Sequence, residues 1–199
     1  MKRILFSLYL SLIAILTFAT DGFTVADVFT DHMVLQRNAI IKIWGEAQNG
    51  SLVEVRFAGQ LQKVKAIQGK WQVTLKTGEA GGPYKLEVIN GNNKVSFQDV
   101  LIGDVWLAGG QSNMEFALRR VKDAQTEISL ADYPQIRYYK VPRKFYPEQE
   151  VSKASWRVCS PQTAPEFSAI AYYFSRNIHK ELNVPIGIIQ TPVGGTTVE

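Results

Sequence analysis

Residues 101 to 115 read Leu101-Ile-Gly-Asp-Val-Trp-Leu-Ala-Gly-Gly-Gln-Ser-Asn-Met-Glu115, an apolar run that breaks at two glycines just before a serine. Val105 to Ala108 suit a buried strand, Gly109 and Gly110 permit a tight turn, and a helical pattern follows Ser112. This order predicts a serine hydroxyl at the carboxyl end of a strand, the edge where open α/β sheets bind ligands. The first amides of the following helix are free to bind an anion there. The stretch therefore suits a hydrolase nucleophile beside an oxyanion site.

A purely structural role for Ser112 fits the same spacing. Ser112 and Glu115 match the S-x-x-E capping box, in which the serine only satisfies a backbone amide of the first turn. Met114 stands where the nucleophile elbow of α/β-hydrolases has its second glycine, so an ordinary α/β-hydrolase is not indicated. Spacing alone leaves the helix cap and the nucleophile as two open interpretations.

Three blocks of the sequence have the form of recurring motifs. They are Asp31-His-Met-Val-Leu-Gln-Arg37, then Gly103-Asp-Val-Trp106 with Gly110-Gln-Ser-Asn-Met114, and finally Gly187-Ile-Ile-Gln-Thr-Pro-Val-Gly-Gly-Thr196. In this order they resemble the sialate O-acetylesterase family, a branch of the SGNH hydrolases. The three blocks are spread over most of the chain that follows its first segment.

The resemblance implies a serine carboxylic-ester hydrolase that removes O-acetyl groups from sialic acids or related acetylated sugars without a metal or organic cofactor. It implies that Ser112 attacks the ester and that backbone amides of Ser112 and of Gly194 or Gly195 hold the oxyanion. Gln111 and Asn113 are then expected to contact the substrate. A glycine suits the oxyanion role because no side chain obstructs the approach of the substrate oxygen to its N–H.

The base that a serine nucleophile requires is missing from the motifs. The family's third block resembles Gln-Gly-Glu-x-Asn and its acid/base segment resembles Asp-x-x-His, and neither occurs in the sequence. The two histidines lack that context: we expect His32 to be packed and His179 to be partly buried on a helix. The chain is therefore interpreted as an N-terminal fragment, or a truncated gene product, of a longer esterase, with little or no turnover of its own. Its half-built sheet is expected to leave an unpaired edge and to lower its solubility.

The beginning of the chain has the features of a secretory signal peptide over residues 1–19. Met1-Lys-Arg3 is basic, Ile4 to Ala19 is apolar, and Thr17-Phe-Ala19 fits a cleavage site for signal peptidase. A membrane anchor is less favoured because the apolar run is shorter than the ~20 residues that span a bilayer. The prediction is a secreted or periplasmic protein with no membrane association after cleavage.

Composition is that of a globular protein, with 199 residues, 46% hydrophobic and 20% charged. The formal net charge of +4 includes Lys2 and Arg3, so loss of the signal peptide lowers it to +2. Lys140, Arg143 and Lys144 are interleaved with proline and aromatic residues, which predicts a small solvated patch and no nucleic-acid partner. The composition gives no oligomeric state.

Cys159 is the only cysteine, so the chain has neither an internal disulfide nor a cysteine metal cluster. A buried, inert thiol is the expectation.

Period-two alternation between residues 20 and 99 predicts a small antiparallel β-sandwich. Trp44 and Trp71 lie in this region, and an exposed aromatic side chain there would suit sugar stacking, although packing is the simpler role for Trp44. A non-catalytic carbohydrate-binding or interaction module is therefore an alternative function. The predicted strands are Ile40–Trp44, Leu52–Phe57, Lys63–Ile67, Trp71–Leu75, Tyr84–Ile89 and Lys94–Phe97.

Beyond a boundary near Asp99 to Leu101, the period changes towards 3.6. The pattern predicts a helix from Asn113 to about Leu130, a strand over Ile136–Val141, a long loop to Ser160, a helix from near Ala164–Pro165 to before Pro185, and a strand over Ile186–Gln190. Alternating strands and helices indicate a flavodoxin-like parallel sheet with helices on both faces. Residues 100–199 would then be an incomplete SGNH hydrolase domain, for which acetylxylan-type esterase activity is a further alternative.

Overall fold

The structure is a computed structural model that describes residues 22–142 and 153–193. The predicted signal peptide, Arg143, Lys144, Gly194 and Gly195 lie outside the described residues. The helices are α1 (Ser112–Glu115), α2 (Ala124–Ser129) and α3 (Ala169–Leu182), with single 3₁₀ turns at Leu118–Arg120 and Ala164–Glu166. The strands are β1 (Thr24–Val25), β2 (Val34–Gln36), β3 (Ile40–Glu46), β4 (Leu52–Phe57), β5 (Gln60–Lys65), β6 (Lys70–Lys76), β7 (Gly81–Asn90), β8 (Asn93–Ala108), β9 (Tyr133–Lys140), β10 (Trp156–Cys159) and β11 (Ile186–Gln190).

Strands form where the sequence alternates between apolar and polar residues. In β6, Trp71, Val73 and Leu75 are buried, whereas the residues between them are exposed. This is the pattern of a strand with one face on the core, because successive side chains point to opposite faces. The bounds of β4 coincide with the predicted strand, and β3, β6 and β7 are each longer than predicted.

The strands form two sheets over a common core. A three-stranded antiparallel sheet has the order β1-β3-β6, and a mixed sheet has the order β10-β9-β11-β8-β7-β4-β5, with β2 also paired to β8. Ile43 and Val73 of the small sheet share one hydrophobic cluster with Val53, Val55 and Leu86 of the large sheet. Burial of this cluster stabilises the first half of the chain.

The long strand β8 runs through the predicted domain boundary. Its first part pairs antiparallel with β7, and Asp104 to Ala108 pair parallel with β11. Asp99 has a positive φ of 52°, which marks a local irregularity in an otherwise continuous strand. A separate N-terminal β-sandwich domain is therefore not confirmed, because one mixed sheet contains strands from both halves. The division of the chain near residue 99 remains a prediction.

The second half of the chain adds a parallel part to this sheet, as predicted. The last strand, β11, lies between β8 and β9 and is parallel to both. At the edge, Trp156 to Cys159 form β10, antiparallel to β9, where the sequence predicts only a loop. That prediction is wrong because four residues following a polar, proline-containing stretch are too few to show alternation.

The described helices cover one face of the parallel strands, whereas helices on both faces are predicted. Tyr138 and Ile188 belong to a second hydrophobic cluster with the helices, and their neighbours Tyr139 and Ile189 contact the first cluster. That other face is packed against the segment before β3, including Met33 and Leu35.

The helix predicted from Asn113 to Leu130 is interrupted. The Leu118 amide donates to the Phe167 carbonyl at 2.9 Å, and the Ala169 amide donates to the Phe116 carbonyl at 2.8 Å. These bonds hold Phe116 and Ala117 extended beside Phe167 and Ser168, with Ala117 and Ser168 forming a bridge. Long-range backbone pairing thus outweighs the local helical pattern.

Candidate active site

Ser112 lies beyond the carboxyl end of β8 and is the exposed first residue of α1. The residue at the N-cap is Gln111, and no side chain caps the helix. The capping box is therefore not formed, and the Ser112 hydroxyl has no hydrogen bond to another described residue. Gln111 and Asn113 are likewise exposed on either side of it. The Ser112 hydroxyl is therefore accessible to a substrate, as a nucleophile must be.

Gly110 shapes the turn that presents the serine. Its φ of +143° is a backbone conformation that residues other than glycine rarely adopt. A Cβ at this position would lie 3.3 Å from the Cβ of Met114. The turn between β8 and α1 therefore depends on glycine, as the Gly109-Gly110 pair predicts.

The end of β11 lies beside this turn. The Thr191 amide donates to the Ala108 carbonyl at 3.0 Å, and the Val193 amide donates to the Gly110 carbonyl at 2.9 Å. The two predicted site blocks thus meet at one sheet edge up to Val193, the residue that precedes Gly194. Gly194 and Gly195 are outside the described residues, and their oxyanion role remains a prediction.

Gln190 is a site residue to which sequence reasoning assigned no role. Its side chain is 2% exposed, and its Nε2 donates to the Met114 carbonyl at 3.4 Å. The Oε1 atom is buried without a hydrogen-bond partner. The sequence feature that could have identified it is a glutamine at the end of an apolar strand, because buried polar side chains usually form hydrogen bonds to a neighbouring segment. Here it ties β11 to α1.

Other motif residues position the strand that carries the serine. A Cβ on Gly103 would lie 2.0 Å from the Pro185 carbonyl oxygen, so glycine allows β8 and the start of β11 to approach closely. Arg37 forms a bidentate pair with Asp104, with Nε–Oδ1 at 2.8 Å and Nη2–Oδ2 at 3.1 Å. The first two motif blocks are joined by this pair.

His32 is held by a carboxylate instead of being packed in the core. Its Nδ1 lies 2.7 Å from Asp99 Oδ2, and 45% of its side chain is exposed, so the expectation of packing is wrong. Arg137 Nη1 donates to the same oxygen at 2.7 Å. Burial acts to raise the pKa of Asp99, but the hydrogen bonds from Arg137 and His32 outweigh burial and place that pKa below its ordinary value.

His179 is partly buried on α3, as expected, and its Nδ1 lies 2.8 Å from the Val184 carbonyl oxygen. Val184 precedes the amino end of β11, and Asp99 precedes the parallel part of β8. Both imidazoles are therefore engaged at the amino ends of the parallel strands, whereas Ser112 follows a carboxyl end. Neither histidine lies where it would deprotonate Ser112.

The tryptophans of the first half differ in exposure. Trp44 is 43% exposed, with an edge-to-face contact to Phe29 at 4.8 Å between ring centroids, so it is less packed than expected. Trp71 is buried, and its Nε1 donates to the backbone carbonyls of Thr24 and Glu46. Of these two tryptophans, Trp44 alone is substantially exposed.

Cys159 is buried, and desolvation raises the pKa of its thiol to about 12, which agrees with the expected inert thiol. In residues 22–142 and 153–193, no group of three or more histidine, cysteine, aspartate or glutamate residues is placed to hold a metal ion. Over the same residues, no helix has the length and apolar character required to cross a bilayer.

A cavity of about 430 Å³ opens beside the serine. Its lining includes Ser112 and Phe116, and two cationic side chains, Arg120 and Lys140, face the same space. A volume of this size accommodates a sugar-sized ligand. The arrangement places an unhindered hydroxyl at a polar cavity, which suits attack on an ester of a polar substrate.

Comparison with known proteins gives a consistent set of relatives. The chain is 32% identical to human sialate O-acetylesterase over 201 residues and 32% identical to the rat protein over 206 residues, covering 89% of this chain in each case. The chain spans 38% of the length of the human relative and 37% of the rat relative. No protein-family model matches it.

A solved structure has the same fold. A carbohydrate acetylesterase from Xanthomonas citri superposes with a TM-score of 0.82 at 36% identity, over 88% of this chain and 41% of that one. The resemblance indicated by the three motif blocks is thereby confirmed by sequence and by structure.

Proposed function

The chain is a relative of the sialate O-acetylesterases, and on that basis we propose that it is part of a serine esterase that removes O-acetyl groups from sialic acids or related acetylated sugars. The observation that carries the proposal is Ser112, exposed and without a hydrogen bond in the described part of the chain, at a glycine turn beside a cavity. The substrate class follows from the relatives, whose names specify acetylated sialic acid and acetylated carbohydrate.

The proposed chemistry is acyl transfer through the serine. The Ser112 oxygen attacks the acetyl carbonyl carbon while a base accepts the hydroxyl proton. The resulting oxyanion is held by the backbone amides of Ser112 and of Gly194 or Gly195, a role supported by the bond between Val193 and Gly110. Collapse of this intermediate breaks the ester bond, the sugar oxygen leaves with a proton, and water then hydrolyses the acetyl-serine.

The base is proposed to come from outside this sequence. Both histidines are engaged at the opposite ends of the parallel strands. The chain also spans less than two fifths of its relatives' length, which leaves room for the missing partner elsewhere in a longer protein. The 199-residue chain is accordingly expected to bind an acetyl ester and to be acetylated slowly at Ser112, without efficient turnover. Secretion or periplasmic location is proposed from the signal-peptide pattern alone.

The test is acetylation of Ser112 in the purified chain with an external base. We expect 4-nitrophenyl acetate to place an acetyl group on Ser112, and free imidazole to increase the yield because it replaces the absent general base. Mass spectrometry of the peptide that contains residue 112 measures the product. Ser112→Ala should abolish the adduct on this peptide.

Ser129→Ala is the matched control, since Ser129 is also exposed on a short helix but donates to the Thr126 carbonyl at 2.8 Å. It should leave acetylation of Ser112 unchanged. The proposal is wrong if the folded chain acquires no acetyl group at Ser112, or if Ser129 is acetylated to the same extent.

A glycan-binding role for the first half of the chain is favoured by one observation, the half-exposed ring of Trp44. Sugar binding that survives Ser112→Ala and is lost in Trp44→Ala would support this second candidate. Trp71 cannot take part directly because it is buried.

A further inference from the structure

The carbonyl of Met114 in α1 lacks the donor that a continuous helix would supply. In such a helix it would accept a hydrogen bond from the amide of Leu118, four residues later. The Leu118 amide instead donates to the Phe167 carbonyl at 2.9 Å. The Nε2 of Gln190 donates to the Met114 carbonyl at 3.4 Å and so takes the place of the missing amide.

Gln190 is held in this position by the sheet. Its backbone pairs with Ala108 of β8 on one side and with Lys140 of β9 on the other. Its carbonyl accepts a hydrogen bond from the Val141 amide at 3.0 Å, and only 2% of the residue is exposed. A residue fixed between two strands and closed off from solvent presents its side-chain amide to α1 from a defined direction.

Two peptide groups connect the Met114 carbonyl to the Ser112 amide. The first contains this carbonyl and the Glu115 amide, which donates to the Gln111 carbonyl at 3.0 Å. The second contains the Gln111 carbonyl and the Ser112 N–H, the proposed oxyanion donor. A peptide group whose carbonyl accepts a hydrogen bond becomes a stronger donor at its N–H, so the bonds of such a chain reinforce one another. The Gln190 amide stands at the start of this chain, and the Ser112 N–H stands at its end.

The Gln190 side chain contributes little to stability for its size. Its Nε2 forms one long hydrogen bond, and its Oε1 is buried without a hydrogen-bond partner. A buried acceptor without a partner costs free energy comparable to or greater than the contribution of one such bond. An apolar side chain of the same shape would therefore be neutral or stabilising here, so stability alone does not account for a glutamine at this position.

We propose that Gln190 is a positioning residue for the esterase reaction, and that it orients and polarises the Ser112 amide that holds the oxyanion. This inference rests on the proposed esterase function and adds a residue to which the motifs give no role. Gln190 is buried and does not line the cavity beside Ser112. It therefore acts through the backbone of residues 111–115 and not by contact with the ester.

The experiment compares Gln190→Met with the unmodified 199-residue chain. Acetylation of Ser112 by 4-nitrophenyl acetate with imidazole is followed by mass spectrometry over a range of ester concentrations, and urea unfolding is measured on the same samples. We expect the maximal rate of acetylation to fall about tenfold, because rates are sensitive to small displacements of an oxyanion donor. The half-saturating ester concentration should not change, and the midpoint of urea unfolding should stay the same or rise.

Gln36→Met is the matched control, since it also replaces a glutamine that is hydrogen-bonded to the backbone. The Gln36 Oε1 accepts from the Val105 amide at 2.8 Å, near the amino end of the parallel part of β8 and away from α1. This variant should lower the midpoint of urea unfolding and leave the acetylation rate unchanged. The two variants thus separate positioning of the Ser112 amide from stability of the fold.

The amide proton of Ser112 gives a readout that a purely structural role would not move. Its NMR resonance should move upfield in Gln190→Met, because a less polarised N–H is more shielded. Gln36→Met should leave the resonance in place. Slower acetylation with an unmoved Ser112 resonance would show that the effect does not pass through this amide, and would overturn the inference.

Acetylation of Gln190→Met at the unmodified rate overturns the inference and leaves the proposed function intact. A fall in the urea midpoint as large as that of Gln36→Met, or failure of Gln190→Met to fold, also overturns it, because the side chain would then be structural. Absence of an acetyl group on Ser112 in the unmodified chain refutes the proposed function and the inference together.

Discussion

Asp99 joins three segments that are distant in the sequence. It lies at the irregularity in β8, and its carboxylate accepts hydrogen bonds from Arg137 on β9 and pairs with His32 of the segment before β2. The Arg137 side chain is only 5% exposed. A buried guanidinium requires a counter-charge, so Asp99 stabilises the fold chiefly by neutralising Arg137.

We expect Asp99→Asn to lower the free energy of unfolding by about 3 kcal/mol at neutral pH, because it leaves Arg137 buried without its partner. The pKa of Asp99 is lowered in the folded state, so its contribution is present above the unfolded-state pKa and is lost as pH falls through the folded-state pKa. The difference between the variant and the unmodified chain should therefore shrink below about pH 4. Urea unfolding at a series of pH values measures it.

Asp132→Asn is the control for that measurement, since Asp132 is exposed and has no ion pair in the described part of the chain. It should change stability little at any pH. A deficit for Asp99→Asn that stays constant from neutral to acid pH would show that the carboxylate charge is not the cause.

At the scale of elements, helix α3 connects the core to the serine turn. Ser168 caps the helix, because its Oγ accepts a hydrogen bond from the Ala171 amide at 3.2 Å. The same hydroxyl contacts Met114 Sδ at 3.4 Å, and Met114 belongs to α1. One fully buried serine thus begins α3 and contacts the element that carries Ser112.

Ser168→Ala should lower the free energy of unfolding by about 1 kcal/mol through loss of the cap. Ser175→Ala is the matched control on the same helix: Ser175 is also buried, but its hydroxyl only donates to the Tyr172 carbonyl within the helix. We expect it to cost less. Equal losses for the two variants in urea unfolding would mean that capping contributes nothing beyond the burial of a small side chain.

At the scale of the whole molecule, exposed apolar side chains lie on and beside the second half of β8. The Trp106 and Phe174 rings meet edge to face at 5.0 Å and are 44% and 38% exposed, with Ile170 one helical turn away. Leu107 is 72% exposed. The Asp104 amide donates to the Pro185 carbonyl, and the Ala108 carbonyl accepts from the Thr191 amide, on the side of β8 where β11 lies. Because the hydrogen-bonding groups of a strand alternate in direction, the backbone N–H and C=O groups of Val105 and Leu107 point to the opposite side. No described strand pairs with that side of β8 beyond Gly103. The Val105 amide there donates to the side-chain Oε1 of Gln36 at 2.8 Å.

An unpaired strand edge with apolar neighbours promotes self-association. We expect the apparent mass of the chain to rise with concentration, and Leu107→Lys to reduce this rise because a charge at the edge opposes strand pairing. Light scattering after size exclusion measures the effect. Ile40→Lys, at a residue 76% exposed on β3, is the control and should not alter association. Equal effects of both variants would assign the change to net charge instead of this edge.

Most strands and the serine turn were predictable, because both depend on local chemistry. Alternating residues in β4 and β6 reveal which face is buried, and Gly109-Gly110 reveals where β8 stops. The buried face of α3 was harder to predict than the helix itself, because the apolar residues Ile170 and Phe174 are exposed whereas Ser175 is buried. A helical pattern indicates an apolar face without showing what covers it.

Period-two alternation, a glycine pair and three motif blocks were therefore enough to place the strands, locate Ser112 and identify the relatives. Tertiary structure alone decided that Phe116 and Ala117 are extended, that β11 lies between β8 and β9, and that Lys140 lines the cavity beside Ser112. The physical reason is the range of the interactions. Side-chain alternation and turn geometry act between neighbours in the chain, whereas these features depend on contacts between residues that are tens of positions apart.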